Sequence, residues 1–318
     1  MVEKTNEALN KMLFVGVTTT QSIINQIFPR WMELLKSNFI LECYDIDLLA
    51  DPEAYRICVN KIKTNYNIKG ALVTTHKIPL YGASSDLFDK IHTSSKTFEE
   101  IGCIYKRNNQ LIGEATDVIT VKNAFNDIWF EYDYNNKKHI QVCILGCGGA
   151  GIALGFAILS LNYLNIEKIL MIDNNSIRLE KARNSLSKFD RNSIIVYSKS
   201  NSIYDNDILV SSMKENAIIV NATGLGKDLP GAPISENVIF PNGGCIWEYN
   251  YRGDLKFMDI AKEQKDSKNL AIEDGFNYFI YGWTTVISRV LDIDIDSLMF
   301  DTFAKEARKI YNRALIGN

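Results

Sequence analysis

Gly146, Gly148 and Gly151 stand at Gly-x-Gly-x-x-Gly spacing directly after the apolar run 140–145. A helical pattern follows at once, from Ile152 to about Leu161. This spacing suits phosphate chemistry. Gly146 permits a tight turn, Gly148 lets backbone approach a pyrophosphate, and Gly151 lets helix and strand pack closely. Gly149 and Ala150 fall at the helix start, where free N–H groups favour negative charge. Asp173 ends the next apolar run, 168–172. An acid there ordinarily accepts the adenosine ribose 2′-hydroxyl, and its charge disfavours a 2′-phosphate. The expected cofactor is therefore NAD, with NADP less favoured, although Arg178 lies downstream and offers tolerance for a phosphate.

The elements that position this turn read as an α/β protein. Residues 13–17 form a first strand, 21–36 an amphipathic helix and 39–46 a second strand. Asp51-Pro52 opens a helix and residues 69–74 form a third strand. The β-α-β-α-β order predicts an N-terminal open α/β domain. Residues 104–112 form a hairpin turning at Asn108-Asn109, and a helix over 118–130 leads onward. Strands are expected at 140–145, 168–172, 193–197, 207–210, 217–221 and 244–248, with helices over 280–291 and 303–314. The domains are read as 1–117, completed by 274–318, and a Rossmann domain with its linker helix over 118–273.

Composition narrows the classes. The chain has 318 residues, 46% hydrophobic and 23% charged, enough for two cores. A net charge of −3 gives no reason to expect nucleic acid or an anionic membrane. No apolar run reaches the length of a membrane helix. The polar N-terminus does not read as a secretion signal. Six scattered cysteines lack zinc spacing, so free thiols in a reducing cytoplasm are expected, with no metal site.

Four further segments carry a family resemblance. Residues 70–77 resemble the Asn-Val-Thr-x-Pro-x-Lys segment of shikimate dehydrogenases, and Ala115-Thr116-Asp117 resembles their Asn-Thr-Asp. Asn221-Ala222-Thr223-Gly224-Leu225-Gly226 is similar to their Asn-(Ala/Thr)-Thr-x-x-Gly, and 247–252 to their Asp-x-x-Tyr segment. The chain thus resembles the shikimate/quinate dehydrogenase-like family from about Phe14 to about Arg289. The resemblance implies a substrate domain, a Rossmann domain, and C-terminal helices returning to the first domain. It also implies Lys77 and Asp117 as the catalytic pair beside the nicotinamide, with Lys77 exchanging a proton with the alcohol or ketone. Ser22 and Thr74 are expected to bind substrate, with Tyr251 and Tyr281 lining the pocket. Asn221, Thr223 and Gly224 are expected near the nicotinamide. His76 is read as packing or capping, and His92 and His139 as surface residues.

The departures are specific. The family's Ser-x-Ser becomes Ser22-Ile23-Ile24, and Leu72 stands for an Asn in a segment one residue short. Gly-Ala-Val-Asn-Thr becomes Gly102-Cys103-Ile104-Tyr105-Lys106; Ala115 replaces an Asn and Gly282 a Gln. A site that loses hydrogen-bonding partners loses orders of magnitude in discrimination. The expected function is an NAD(P)-dependent oxidoreductase for a small, cyclic, carboxylated alcohol or ketone other than shikimate. Genuine shikimate/quinate dehydrogenase activity and a non-catalytic dinucleotide sensor stay open as alternatives, as does a homodimer.

Overall fold

The computed structural model describes residues 9–161, 165–226 and 229–316. Two compact units emerge, one from residues 1–116 with 282–318 and one from 117–281.

In the first unit β1 (Asn10–Gly16), β2 (Phe39–Asp45) and β3 (Ile68–Val73) pair in parallel, with β1 central. The sheet order is β2-β1-β3-β5-β6-β4, where β4 is Lys90–Ile91, β5 Cys103–Arg107 and β6 Gln110–Glu114. Only β5 runs against the rest, because β5 and β6 form the expected hairpin. Asn108 and Asn109 both take positive φ at its turn, a conformation asparagine tolerates well. The first helix is shorter than expected, Ile24–Leu34, and follows a 3-10 turn at Thr19–Gln21. The core on one face gathers Leu13, Val15, Val59, Ile62, Ala71 and Ile104. On the C-terminal side, Trp283 packs edge-on against Phe14, Trp31 stacks on Phe303, and Arg289 grips the buried Glu114 carboxylate. These contacts complete the first unit with C-terminal helices.

The second unit holds an all-parallel sheet in the order β12-β11-β10-β7-β8-β9. Its strands are β7 (Ile140–Leu145), β8 (Ile166–Asp173), β9 (Ile195–Lys199), β10 (Ile218–Asn221), β11 (Cys245–Glu248) and β12 (Ala271–Glu273). Counted from its own first strand this is the 3-2-1-4-5-6 order of the doubly wound dinucleotide fold. The expected strand over 207–210 is instead part of the helix Ile203–Ser211. Ser202 caps it by accepting from the Asp205 N–H, and Val210 is buried while Ile208 faces out. The helix Gly149–Ser160 starts in the glycine turn. The last two helices are longer than expected, Phe276–Leu291 and Ser297–Ile316. Among the described residues no helix is long and apolar enough to cross a membrane. Among the described residues no cluster of three or more metal-ligating side chains occurs.

Candidate functional site

In the second unit the strand order reverses between β7 and β10, so the connections leaving them diverge and open a crevice at their carboxyl ends. A cavity of about 450 Å³ lies there, lined among others by Gly146, Gly148, Asp173, Arg178, Ser202 and Thr223. Gly146 has φ +103°, and a Cβ on it would meet the Ala222 carbonyl at 2.8 Å. A Cβ on Gly151 would meet the Gly146 carbonyl at 2.0 Å, so helix and turn touch backbone to backbone. Nothing lies within 4 Å of a Cβ built on Gly148. There a side chain would enter open space rather than the fold. Gly148 caps the helix, and Gly149 and Ala150 begin it. The cradle fits a pyrophosphate on both counts: bare backbone and a helix start.

Asp173 lies where the pattern placed it, but its carboxylate is already occupied. The Arg178 guanidinium donates to both oxygens at 2.9–3.1 Å, and the N–H groups of Asn175 and Cys147 donate at 2.8 Å each. Its side chain is 4% exposed, whereas that of Arg178 is 51% exposed. Burial pushes the Asp173 carboxyl up, but the Arg178 guanidinium and the two N–H groups outweigh it and hold the pKa down. The carboxylate is thus charged, neutralised and braced. The like-charge argument against a 2′-phosphate is weakened, because the half-exposed Arg178 guanidinium pairs with the Asp173 carboxylate.

The Asn221 turn forms the other wall. Asn221 is fully buried; its Oδ1 accepts from the Thr223 hydroxyl at 2.6 Å and the Thr223 N–H at 3.1 Å. Gly224 has φ +76°, which the turn requires. The Ala222 N–H donates to Leu145 O at 2.8 Å, tying this turn to the end of β7. Glu248 lies behind it, and no sequence motif assigned it a role; its signal was the acid opening the segment that resembles Asp-x-x-Tyr. Tyr251 packs on Phe279 with ring centroids 4.4 Å apart. The Tyr281 hydroxyl donates to Asp127 Oδ1 at 3.0 Å, so it is engaged within its own unit.

In the first unit the strand ends bring several expected residues together. Thr74 follows β3, and its N–H donates to Val15 O. Gly16 at the end of β1 leaves room for the Thr74 and Thr19 methyls, each 2.8 Å from where its Cβ would be. Lys77 opens the helix Lys77–Ser84. Its side chain lies over Gly102, with Lys77 Cε and Thr116 Oγ1 each 3.5 Å from a Cβ built there. Asp117, next in the chain after Thr116, begins the helix Asp117–Glu131 of the second unit. Ser22 is half-buried after the 3-10 turn, while Ile24, in place of the family's second serine, is fully buried in the core. Tyr105, in place of an amide, is half-buried; burial first, and then the Glu114 carboxylate, push its phenol up to about 12. His76 is buried, with ring nitrogens bonded to Tyr55 Oη and Ile46 O, a packing role. His92 and His139 are exposed.

The doubly wound sheet with its glycine turn and the preceding α/β unit define a two-domain α/β protein whose second unit has the doubly wound dinucleotide-type fold. Comparison with known proteins agrees. The chain is 24% identical over 191 residues to the shikimate dehydrogenase (NADP(+)) of Lactococcus lactis subsp. cremoris (strain MG1363), spanning 59% of this chain and 63% of that one. That match covers less than two thirds of the relative's length. Shikimate dehydrogenase 1 from Peptoclostridium difficile shares the fold with a TM-score of 0.66 at 21% identity, covering 94% of this chain and 98% of that one. Quinate dehydrogenase from Corynebacterium glutamicum, solved with NAD, gives 0.72 at 13% identity, covering 93% and 98%. The 5-ketofructose reductase of Gluconobacter sp. strain CHM43 gives 0.67 at 15% identity, covering 95% and 98%. No family model matches the chain. The chain is thus similar in sequence to a shikimate dehydrogenase over just over half its length, and it shares its fold with the shikimate, quinate and 5-ketofructose enzymes above.

Proposed function

We propose that this protein is an NAD(P)-dependent oxidoreductase that interconverts a secondary alcohol and a ketone on a small, cyclic substrate other than shikimate. The observation that carries the reading is the glycine cradle at the reversal point of the second sheet, in a chain that also holds Lys77 beside Gly102 and Thr116. A bound nicotinamide supplies the hydride acceptor or donor. Lys77 takes the hydroxyl proton as the alcohol carbon loses hydride, and returns it to the carbonyl oxygen in reverse. Asp117 is assigned as the second catalytic residue, which hydrogen-bonds a neighbouring substrate hydroxyl, and Thr74 and Ser22 bind the rest of the substrate. Tyr251 contributes apolar wall.

The substrate reading rests on the replaced groups. Ile24 is core rather than a hydroxyl, and Tyr105 stands where the family carries an amide. A buried polar site rejects a substrate whose hydroxyls it cannot pair. Fold relatives named for shikimate, quinate and 5-ketofructose support a scaffold that hosts several ring or sugar substrates. Retention of Lys77, Asp117, Thr74 and Ser22 favours genuine shikimate or quinate dehydrogenase activity as the second reading.

For the cofactor, the braced Asp173 and half-exposed Arg178 support acceptance of either NAD or NADP rather than the NAD preference that the acid alone suggests. The test is titration with NADH and NADPH, followed by turnover of shikimate, quinate and a panel of cyclic hydroxy acids and polyols. Tight dinucleotide binding with turnover of a panel member other than shikimate is expected. Robust shikimate oxidation promotes the second reading, and no dinucleotide binding removes both.

A further inference from the structure

Glu248 ends β11 directly beside Asn221 of β10 and is fully buried. Every atom facing its carboxylate in a hydrogen bond is a donor. Asn221 Nδ2 donates to Oε2 at 2.6 Å; the Asn250 N–H and Nδ2 donate to Oε1 at 2.8 and 2.7 Å. Both amides also reach Leu225 O. The other end of the Asn221 amide, Oδ1, holds Thr223. Glu248 therefore dictates which way Asn221 points, and Asn221 dictates the turn that walls the cavity.

We propose that Glu248 is a positioning residue for dinucleotide binding, whose ionised form orders the 222–226 turn and whose protonation releases it. A protonated carboxyl brings an O–H to a shell that offers only N–H donors. To accept that O–H, Asn221 must turn its oxygen away from Thr223, and two bonds of the turn are lost. Burial pushes the Glu248 pKa up to about 7 despite the donors of Asn250, Asn221 and Tyr249, which puts this exchange in the physiological range.

No charged side chain is among the groups that shift Glu248. β10 and residues 222–226 carry no ionisable group. On the other side β12 carries Glu273, in register with Trp247 and hydrogen-bonded by Tyr132. The helix Lys256–Glu263 buries Phe257, Ile260 and Ala261. The adjoining Tyr249 phenol has Tyr278 and Asp117 as ionisable neighbours.

The inference rests on the dinucleotide reading above, and the two fail separately. The probe is NAD+, whose diester phosphates do not titrate near neutrality. Calorimetric titration of the full chain from pH 6 to 8.5, in buffers of different ionisation enthalpy, reads affinity and proton exchange together. Wild type should bind about fivefold or more tightly at pH 8 than at pH 6, within the ordinary range of coupling, and release a fraction of a proton on binding near pH 7. Glu248→Gln, which keeps the shape but presents an N–H to Asn221, should bind at the wild-type low-pH affinity throughout, with no proton release. Asn250→Ala removes one donor and should move the wild-type midpoint to higher pH; it carries the test if the Gln variant does not fold. Binding that ignores pH in wild type, or a Gln variant with the wild-type profile, overturns the inference while leaving the dinucleotide reading intact. Absence of NAD+ and NADPH binding at every pH overturns both.

Discussion

Asp173 accepts on both carboxylate oxygens from Arg178, five residues further along the chain. The pair converts an acid that would repel a 2′-phosphate into the anchor of a cation that can meet one. Arg178 remains half-exposed at the cavity, its Nε and Nη2 donating three bonds to Asp173 and one to Asn174 Oδ1. Arg178→Leu should weaken NADPH by about tenfold more than NADH, since a charge-assisted bond of about 1.5–3 kcal/mol is lost only by the former. Fluorescence titration with the two reduced dinucleotides reads the ratio. Equal losses would show that Arg178 only braces Asp173.

Two glycines of the same turn should separate binding from folding. Gly151→Val drives a Cβ into the Gly146 carbonyl, 2.0 Å away, and should lower stability by about 3 kcal/mol or more. The Cβ of Gly148→Val meets no atom of the fold within 4 Å, and the substitution should leave the melting temperature close to wild type. It should nonetheless weaken dinucleotide binding by at least about tenfold, or about 1.4 kcal/mol. Thermal unfolding alongside binding checks both; a Gly148→Val protein that binds normally would move the pyrophosphate elsewhere.

Glu248 also sets a stability trend. Its pKa is raised from 4.5 in the unfolded chain to about 7 by burial, so the folded state binds an extra proton between those values. Stability from this group is therefore complete below about pH 4.5 and falls as pH rises through 7. The full swing is on the order of 3 kcal/mol, of which roughly 2.5 kcal/mol falls between pH 5 and pH 8. Urea unfolding at pH 5 and pH 8 should show wild type losing that much relative to Glu248→Gln, while the same rise in pH improves NAD+ binding. Parallel stability profiles for the two proteins would place the Glu248 pKa near its ordinary value.

In the first unit the buried Glu114 carboxylate meets Arg289 from the C-terminal helix, with Nε at 2.9 Å and Nη2 at 3.3 Å. Arg289→Met leaves that carboxylate buried and unpaired, a change that costs about 3 kcal/mol when the surroundings are dry. The Arg289 side chain is 38% exposed, so a loss nearer about 2 kcal/mol is expected, and chemical denaturation measures it. No loss would mean that the apolar contacts of Trp283 and Val290 alone hold this helix.

The glycine cradle was legible because its requirements are local. Only glycine serves where φ is +103° or where backbone meets backbone, so spacing alone reported geometry. Both sheets followed from apolar runs alternating with helices. The two-residue β4 and three-residue β12 escaped because such short runs carry no periodicity. The stretch 207–210 looked like a strand from its apolar residues, yet a Ser202 cap and burial of one face made it helical. Asp173 and Arg178 were both singled out but their pairing was not, because residue type marks an acid without showing what its oxygens already hold. Glu248 was hidden for the same reason: its position depends on β10 and β11 lying side by side, a contact between residues 27 apart. Lys77 was visible only through its motif; its place over Gly102 and beside Thr116 comes from the meeting of three strand ends.

Lys77 is proposed to carry the proton of the hydride transfer, and Lys77→Met tests that role most directly. With wild type and variant both saturated with dinucleotide, turnover is measured across the panel of cyclic hydroxy acids and polyols. The variant should bind dinucleotide within about twofold of wild type and lose about 10²–10⁴-fold in kcat on whichever substrate wild type turns over, the ordinary contribution of a positioned acid–base group. Wild-type turnover in the Met variant, or firm dinucleotide binding with no turnover of any alcohol or ketone by wild type, would contradict it, and the latter result would turn the reading toward a dinucleotide sensor.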